Sequence, residues 1–303
     1  MLRGWCLVGW LLVTSGCVGC EGSVGPFSMR VVEDGTEVTV FAAASLRDVL
    51  SELAPVLGEA AGGEVVLNFA GSNVLARQIE ASGEADVILS ASEEWLDRLE
   101  AAGRLVPGSR RDFLSNRLVV VARHDSGVEV AAPRDLASAD YRYLSIGDPR
   151  GVPAGVYARG FLEAVAMPGG GTLWQAVEER VAPAPDVRAA FAQVAARRDV
   201  VGIVYATDAR TSGEVKVLFE VPPELAPEIV YGAAAVAGGP AGEEVARRVL
   251  DALGSAETQA TFARHGFTPP AAAAAGPAER RAPGEAAASG TDGSPAGDGG
   301  GAV

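Results

Sequence analysis

The residues best suited to bind a ligand are two serines, each of which follows a short apolar strand. Ser45 comes after the β-branched and aromatic run at 38–41 and three alanines, and Ser72 comes after the similar run at 65–69. Beyond each serine the apolar residues recur at helical spacing. Each serine is therefore expected at a helix N-cap, where backbone N–H groups also attract anions. Two such sites together predict anion binding, although either serine alone is more simply a cap.

Three further positions have the same kind of location. Ala154 opens a predicted helix after a proline, Val187 opens another after Asp186, and Tyr205 ends the strand predicted at 202–205. Two backbone N–H groups and a phenol would add uncharged donors around a small dianion. Each hydrogen bond to a charged ligand contributes about 1.5–3 kcal/mol. The structural alternatives are a half-buried Tyr205 with a hydrated hydroxyl, and Asp186 and Asp208 as helix caps.

The elements that position these residues alternate between strand and helix. Strands at 38–41, 65–69 and 85–89 and a helix at 93–102 predict a first α/β lobe with a mostly parallel sheet. The strand at 118–122 crosses into a second lobe, which holds strands at 143–146, 202–205 and 215–219. A strand at 229–236 crosses back, and helices at 243–253 and 256–265 return to the first lobe. The predicted domains are 37–117 plus 239–270 for lobe one and 118–238 for lobe two, with a ligand cleft between them.

Both ends of the 303-residue chain differ from this body. Residues 1–20 have an arginine, a short apolar run and then small residues, which is typical of a signal segment. They resemble a bacterial lipoprotein signal with Cys17 as the lipidated residue and Cys20 as the second choice; an ordinary secretory signal is the alternative. Residues 21–36 are interpreted as a tether. The Ala-, Gly- and Pro-rich residues 271–303 predict a disordered tail.

Charge and composition exclude several classes of function. A formal net charge of −14 argues against a nucleic-acid partner, and it requires that any anion be held by local donors. The folded body has no cysteine, which excludes thiol chemistry there. A hydrolase is disfavoured because the two histidines, His124 and His265, belong to no recognisable motif, and His265 is expected as a helix C-cap. Arg188 is expected on a solvated helix face, and Pro55 is expected to kink or end the first helix.

Eight motifs, in order, resemble the molybdate-binding protein family of molybdate ABC transporters. They are VTVFAAASL at 38–46, NFAGS at 68–72, LARQIE at 75–80, ADV at 85–87, GDP at 147–149, VPAGVYA at 152–158, APDVR at 184–188 and GIVY at 202–205. The likeness extends over residues 38–267. Each motif is weak alone, but the ordered set is specific. Gly71 departs from it, since many relatives have a further serine at that position.

The resemblance implies a type II periplasmic-binding-protein fold, α/β with two lobes, each a mixed sheet flanked by helices. It implies that Ser45 and Ser72 bind the oxyanion through hydroxyl and backbone N–H groups, Ala154 and Val187 through backbone N–H groups, and Tyr205 through its hydroxyl. No cofactor, bare metal ion or catalysis is expected.

The function implied is that of a monomeric, lipid-anchored, extracytoplasmic component of an ABC importer, which delivers molybdate, and also tungstate, to a membrane permease. The alternatives are a protein for sulfate, phosphate or an organic anion, a serine-dependent hydrolase, and an anchored scaffold without a ligand.

Overall fold

A computed structural model describes residues 35–270, and within that range strands and helices alternate much as predicted. The strands are β1 Glu37–Ala43, β2 Glu64–Ala70, β3 Val87–Ser90, β4 Arg111–Ser115, β5 Leu118–Arg123, β6 Tyr143–Gly147, β7 Val181–Ala184, β8 Val200–Tyr205, β9 Val215–Glu220 and β10 Val230–Ala235. The helices are α1 Arg47–Ala61, α2 Ser72–Ser82, α3 Glu93–Ala101, α4 Pro153–Ala164, α5 Leu173–Val177, α6 Val187–Ala196, α7 Ala206–Ala209, α8 Glu243–Leu253 and α9 Ala256–Arg264. The predictions for the signal segment, its cysteines, most of the tether and the tail lie outside the described residues.

The ten strands form two mixed five-stranded sheets. The first has the order β2-β1-β3-β10-β4, with β1 parallel to β2 and β3, and β10 antiparallel to β3 and β4. The second has the order β7-β6-β8-β5-β9, with β6 parallel to β7 and β8, and β5 antiparallel to β8 and β9. Helices pack against both sheets. The predicted α/β fold with two lobes is confirmed.

Strand β1 shows why the central strands are apolar at successive positions instead of at alternate ones. Val40 and Ala42 lie in one core with residues of α1 and α8, whereas Phe41 lies in a second core with residues of α2 and α3. All three side chains are buried because helices cover both faces of the sheet. Strand β1 is thereby fixed in the middle of the lobe, and its carboxyl end is held in place.

Strand β10 belongs to the first sheet, although its residues fall inside the range 118–238 that the sequence predicted for lobe two. It pairs with β3 through four residue pairs from Gly232↔Ser90 to Ala235↔Val87. An apolar strand does not reveal its partner when that partner lies far away in sequence. We therefore propose that the chain returns to lobe one before Val230, which leaves lobe two at about 118–229.

Pro55 does not end the first helix. Helix α1 runs through it to Ala61 and stops at Gly62, whose φ of +76° is left-handed. A proline inside a helix removes one backbone hydrogen bond. Burial of Leu53 and Leu57 on either side of the proline offsets that loss. The predicted early end is therefore wrong, and α1 keeps its full length behind Ser45.

The carboxyl ends of the parallel strands define where a ligand can bind. Strands β1, β2 and β3 end at Ala43, Ala70 and Ser90, and β6, β7 and β8 end at Gly147, Ala184 and Tyr205. Parallel neighbours end at the same edge of a sheet. The loops and helix starts that follow these strands are therefore gathered at one edge of each sheet.

Candidate functional site

All five predicted site residues line one small cavity between the two sheets. The residues are Ser45, Ser72, Ala154, Val187 and Tyr205. The cavity volume is about 10 Å³, close to the minimum that holds one water molecule and far below the roughly 300–1,000 Å³ typical of sites for drug-sized ligands. Its other lining residues are small or apolar apart from Asp186. The space suits a small ion better than an organic ligand.

Ser45 and Ser72 both lie at helix starts, but neither acts as the predicted side-chain cap. Ser45 lies in the 3-10 turn Ala44–Leu46 that leads into α1, and its Oγ is hydrogen-bonded to Tyr231 Oη at 2.9 Å. Ser72 is the first residue of α2, and its Oγ accepts a hydrogen bond from the N–H of Ala91 at 3.0 Å. The cap prediction is therefore wrong because both hydroxyls turn away from their own helices to partners elsewhere in lobe one.

Two helix starts in lobe two present backbone donors to the same cavity. The first turn of an α-helix leaves N–H groups without intrahelical partners. Pro153 is the first residue of α4 and has no N–H, so the N–H of Ala154 is the first donor of that helix. Val187 begins α6 after the cap Asp186, whose Oδ1 accepts from the N–H of Ala189 at 2.9 Å. The predicted cap role of Asp186 is confirmed.

Tyr205 is the last residue of β8, and its side chain is fully buried. Its Oη makes no hydrogen bond of normal distance and angle within residues 35–270, although Tyr231 lies close enough to affect its pKa. Burial, reinforced by Tyr231, raises its pKa well above the usual value, so the phenol stays protonated and acts as a donor. A buried hydroxyl without a partner costs about 1–3 kcal/mol. Its position in the cavity wall is that of a donor to a bound acceptor.

No arginine, lysine or histidine among the described residues lines the cavity. The nearest in sequence is Arg188, whose Nε lies 2.8 Å from Asp208 Oδ1 and whose Nη2 pairs with Asp48 of lobe one. The prediction of a solvated Arg188 is wrong because both carboxylates enclose it. Asp208 lies in α7 and is fully buried; burial raises its pKa to about 7, and Arg188 opposes that rise. Nothing local in the sequence signals an ion pair between residues 140 positions apart.

Side chains also bridge the two lobes around the cavity. Trp95 Nε1 of lobe one donates to the carbonyl oxygen of Gly151 at 3.0 Å, and Tyr157 Oη of lobe two donates to that of Ala91 at 3.2 Å. Trp95 packs against the core as predicted, and this bond gives it a second role. Together with the Arg188 ion pair, these bonds hold the lobes closed over the cavity.

The described histidines do not assemble a hydrolytic site. His124 Nδ1 lies 3.2 Å from the carbonyl oxygen of Glu214, and His265, the C-cap of α9, lies 2.7 Å from Glu52 Oε2 through its Nε2. The hydroxyls of Ser45 and Ser72 have other partners. Within residues 35–270 no three potential metal ligands cluster. Within the same range no helix has the length and apolar character that a membrane crossing needs.

Comparison with known proteins agrees with this geometry. The chain is 34% identical over 243 residues to the molybdate-binding protein ModA of Escherichia coli (strain K12), covering 79% of this chain and 91% of that protein. It is 36% identical over 206 residues to ModA of Haemophilus influenzae, covering 67% and 79%. The Azotobacter vinelandii periplasmic molybdate-binding protein shares the fold, with a TM-score of 0.67 at 22% identity over 77% of this chain and 99% of that one.

These matches confirm the resemblance to molybdate-binding proteins that the eight motifs carry. The model of the bacterial extracellular solute-binding protein family matches residues 38–268, which is the body that contains both sheets and the whole cavity. The chain therefore belongs to the family of bacterial extracellular solute-binding proteins.

Proposed function

We propose that this protein is the extracytoplasmic substrate-binding component of an ABC importer for molybdate. The observation that carries the proposal is the buried Tyr205 hydroxyl, which has no partner in the described chain and faces a cavity lined by helix starts and serines. The identity of 34–36% to two ModA proteins gives the same ligand class.

The chemistry of the cavity fits a tetrahedral dianion. Such an ion has only acceptor oxygens, and the proposed ligands are all donors: the hydroxyls of Ser45, Ser72 and Tyr205 and the backbone N–H groups of Ala154 and Val187. Hydrogen bonds to a charged partner contribute about 1.5–3 kcal/mol each. Several of them from both lobes would make binding and lobe closure a single event.

Several finer points belong to the same proposal. Tungstate is expected to bind as well, because it has the same charge and shape as molybdate. The loaded, monomeric protein would deliver its ligand to a membrane permease and would catalyse no reaction. Anchoring through a lipidated Cys17, or Cys20, would keep it at the outer face of the membrane.

The alternative ligand is sulfate or phosphate. The size of the closed cavity determines whether it binds one of these ions or molybdate. Thermal melting of the purified protein with molybdate, tungstate, sulfate or phosphate is the direct test. A ligand at about 100 times its Kd adds about 2.7 kcal/mol to the free energy of unfolding. For a body of this size we expect Tm to rise by about 5–10 °C with molybdate and tungstate. A rise with sulfate and none with molybdate would refute the proposal.

A further inference from the structure

We propose that closure of the two lobes around the oxyanion is coupled to the uptake of one proton by Asp208, so that the protein binds its ligand more tightly as pH falls through neutrality. The inference rests on the proposed function in that it assumes an oxyanion in the cavity, and it adds a regulation of that site. Asp208 does not itself line the cavity. It lies in α7, which directly follows the lining residue Tyr205.

Arg188 lies between two carboxylates that belong to different lobes. Its Nε is 2.8 Å from Asp208 Oδ1 within lobe two, and its Nη2 pairs with Asp48 of α1 in lobe one. The exposed fraction of the side chain falls from 44% for Asp48 to 21% for Arg188 and 0% for Asp208. The three groups therefore form a row from the surface to the interior, with one positive charge and two carboxylates.

The carboxyl group of Asp208 is poorly satisfied when it is ionised. Neither of its oxygens makes a hydrogen bond of normal distance and angle within residues 35–270, and Arg188 meets it only as an ion pair. A buried, ionised carboxylate that lacks hydrogen bonds is costly, and protonation removes most of that cost. Protonation also makes the row of Asp48, Arg188 and Asp208 electrically neutral.

The charged groups that face Asp208 mostly favour its protonated form. Burial raises the pKa of Asp208 to about 7, Arg188 opposes that rise, and the carboxylates of Asp48 and Asp186 add to it. Two buried phenols are also close to the carboxyl group, those of Tyr205 and Tyr231.

The other strands that contact α7 are β5 and β9, and each of their charged side chains is engaged elsewhere. The pairs are Arg123 with Asp125, Lys216 with the carbonyl oxygen of Ser126, and Glu220 with Arg117. The protonation of Asp208 therefore depends chiefly on Arg188 and on the carboxylates near it.

Opening of the lobes would change these surroundings in two ways. Asp48 would leave with lobe one, so that Arg188 pairs with Asp208 alone, and water would reach the pair. Both changes favour the ionised form. Asp208 would thus release its proton to the solvent when the lobes part, and would take one up, forming a carboxyl O–H bond, when they close. A dianion against Val187 and Tyr205 acts in the same direction as closure, because it repels the nearby carboxylate.

The sign of the pH dependence follows from linkage. A complex that binds more protons than the free protein gains affinity as pH falls. With a pKa of about 7 for Asp208 in the closed form and a lower one in the open form, binding at pH 7 should take up about half a proton or more, and affinity should fall about tenfold or more from pH 6 to pH 8. Molybdate and sulfate remain dianions over this range, so the proton is taken up by the protein.

Isothermal titration calorimetry of the purified protein with molybdate is the test, at pH 7 in buffers of different ionisation enthalpy. The dependence of the observed enthalpy on that of the buffer gives the number of protons taken up. We expect about half a proton or more in the wild type and none in Asp208→Asn, whose amide replaces the neutral carboxyl group. The Kd of Asp208→Asn should also stay within about twofold between pH 6 and pH 8.

Asp125→Asn is the matched control. It makes the same chemical change and breaks a carboxylate–arginine pair, that of Asp125 with Arg198, away from the cavity. Its proton uptake should equal that of the wild type. A wild type that binds molybdate without taking up a proton would overturn the proposal.

Two other groups near the row of charges are rival proton acceptors. Asp186 lines the cavity, and Asp186→Asn keeps an acceptor oxygen for the N–H of Ala189. His265 lines a groove together with Asp48 and Arg188. Both Asp186→Asn and His265→Gln should retain proton uptake. Uptake that persists in Asp208→Asn and disappears in either of these variants would assign the proton elsewhere and refute the proposal.

Asp48→Asn tests the coupling without changing the buried carboxyl group, and it gives the answer if Asp208→Asn does not fold. Arg188 would pair with Asp208 alone in the closed form as well, so proton uptake should fall to about half of the wild-type value or less. Unchanged uptake contradicts the proposal. Failure of the proposed function would appear separately, as a wild type that binds sulfate and not molybdate, and titration with sulfate would then measure the same proton uptake. Binding of neither anion would overturn both proposals.

Discussion

Replacing Tyr205 by phenylalanine should separate ligand affinity from the stability of the empty protein. The hydroxyl of Tyr205 has no partner among the described residues, so Tyr205→Phe removes no hydrogen bond within that part of the chain. The Tm of the ligand-free protein should therefore stay within about 1 °C of the wild type or rise. Loss of one hydrogen bond to a charged ligand, about 1.5–3 kcal/mol, should raise the Kd for molybdate roughly 10- to 150-fold. Calorimetric titration and thermal melting of the same sample give both quantities.

Tyr141→Phe is the control because the chemical change is identical and the setting differs. The hydroxyl of Tyr141 donates to the carbonyl oxygen of Leu136 at 2.8 Å, and the residue is buried outside the cavity. Its loss should cost about 1 kcal/mol, or about 2–4 °C in Tm, and leave the Kd unchanged. The reasoning is refuted if Tyr205→Phe lowers Tm as much as the control does while its Kd stays within twofold of the wild type.

Three further substitutions test closure and charge. Gly71→Ala would place a Cβ 2.6 Å from Asn73 Oδ1, a side-chain atom of the same lobe, and 3.0 Å from the backbone carbonyl oxygen of Pro185 in the other lobe. Both contacts oppose closure of the lobes around a ligand, so calorimetry should show a Kd at least about tenfold higher. Asp48→Asn removes the ion pair with Arg188 that spans the lobes, so stopped-flow measurements should show ligand dissociation several-fold faster with a nearly unchanged Tm. Asp208 has a folded pKa of about 7 against 3.8 for the free side chain. Its protonated form therefore stabilises the fold at low pH, and that contribution is lost as pH rises from about 4 to 7. Urea unfolding between pH 5 and 7 should show a shallower fall of stability with pH for Asp208→Asn than for the wild type.

The location of the site could be predicted from the sequence because its determinants are local. A change from strand to helix periodicity marks Ser45, Ser72 and Val187, and the end of an apolar strand marks Tyr205. The cavity brings all of these residues together with Ala154. The parallel strands supply the reason, since the residues that follow their carboxyl ends meet at one edge of each sheet.

The partners of these residues could not be predicted, because they depend on contacts between distant segments. Ser45 lies 186 residues from Tyr231, and Arg188 lies 140 residues from Asp48. A serine before a helix is most often a cap, and an arginine on a short helix is most often solvated. The fold overrides both expectations. The sequence indicates that the strand at 229–236 crosses back, but it does not show that β10 pairs with β3, because that pairing joins residues far apart in the chain.

The structure also explains how an acidic protein can hold an anion without a cationic side chain in the wall of its site. With a formal net charge of −14, the long-range field disfavours an anion, so attraction must come from donors at contact distance. Arg188 follows the lining residue Val187, but its charge is already compensated by Asp48 and Asp208, and a compensated charge adds little net field. The hydroxyls that remain are buried, and burial strengthens each bond they make by excluding water. Affinity then depends on how many fixed donors meet the ligand oxygens at once.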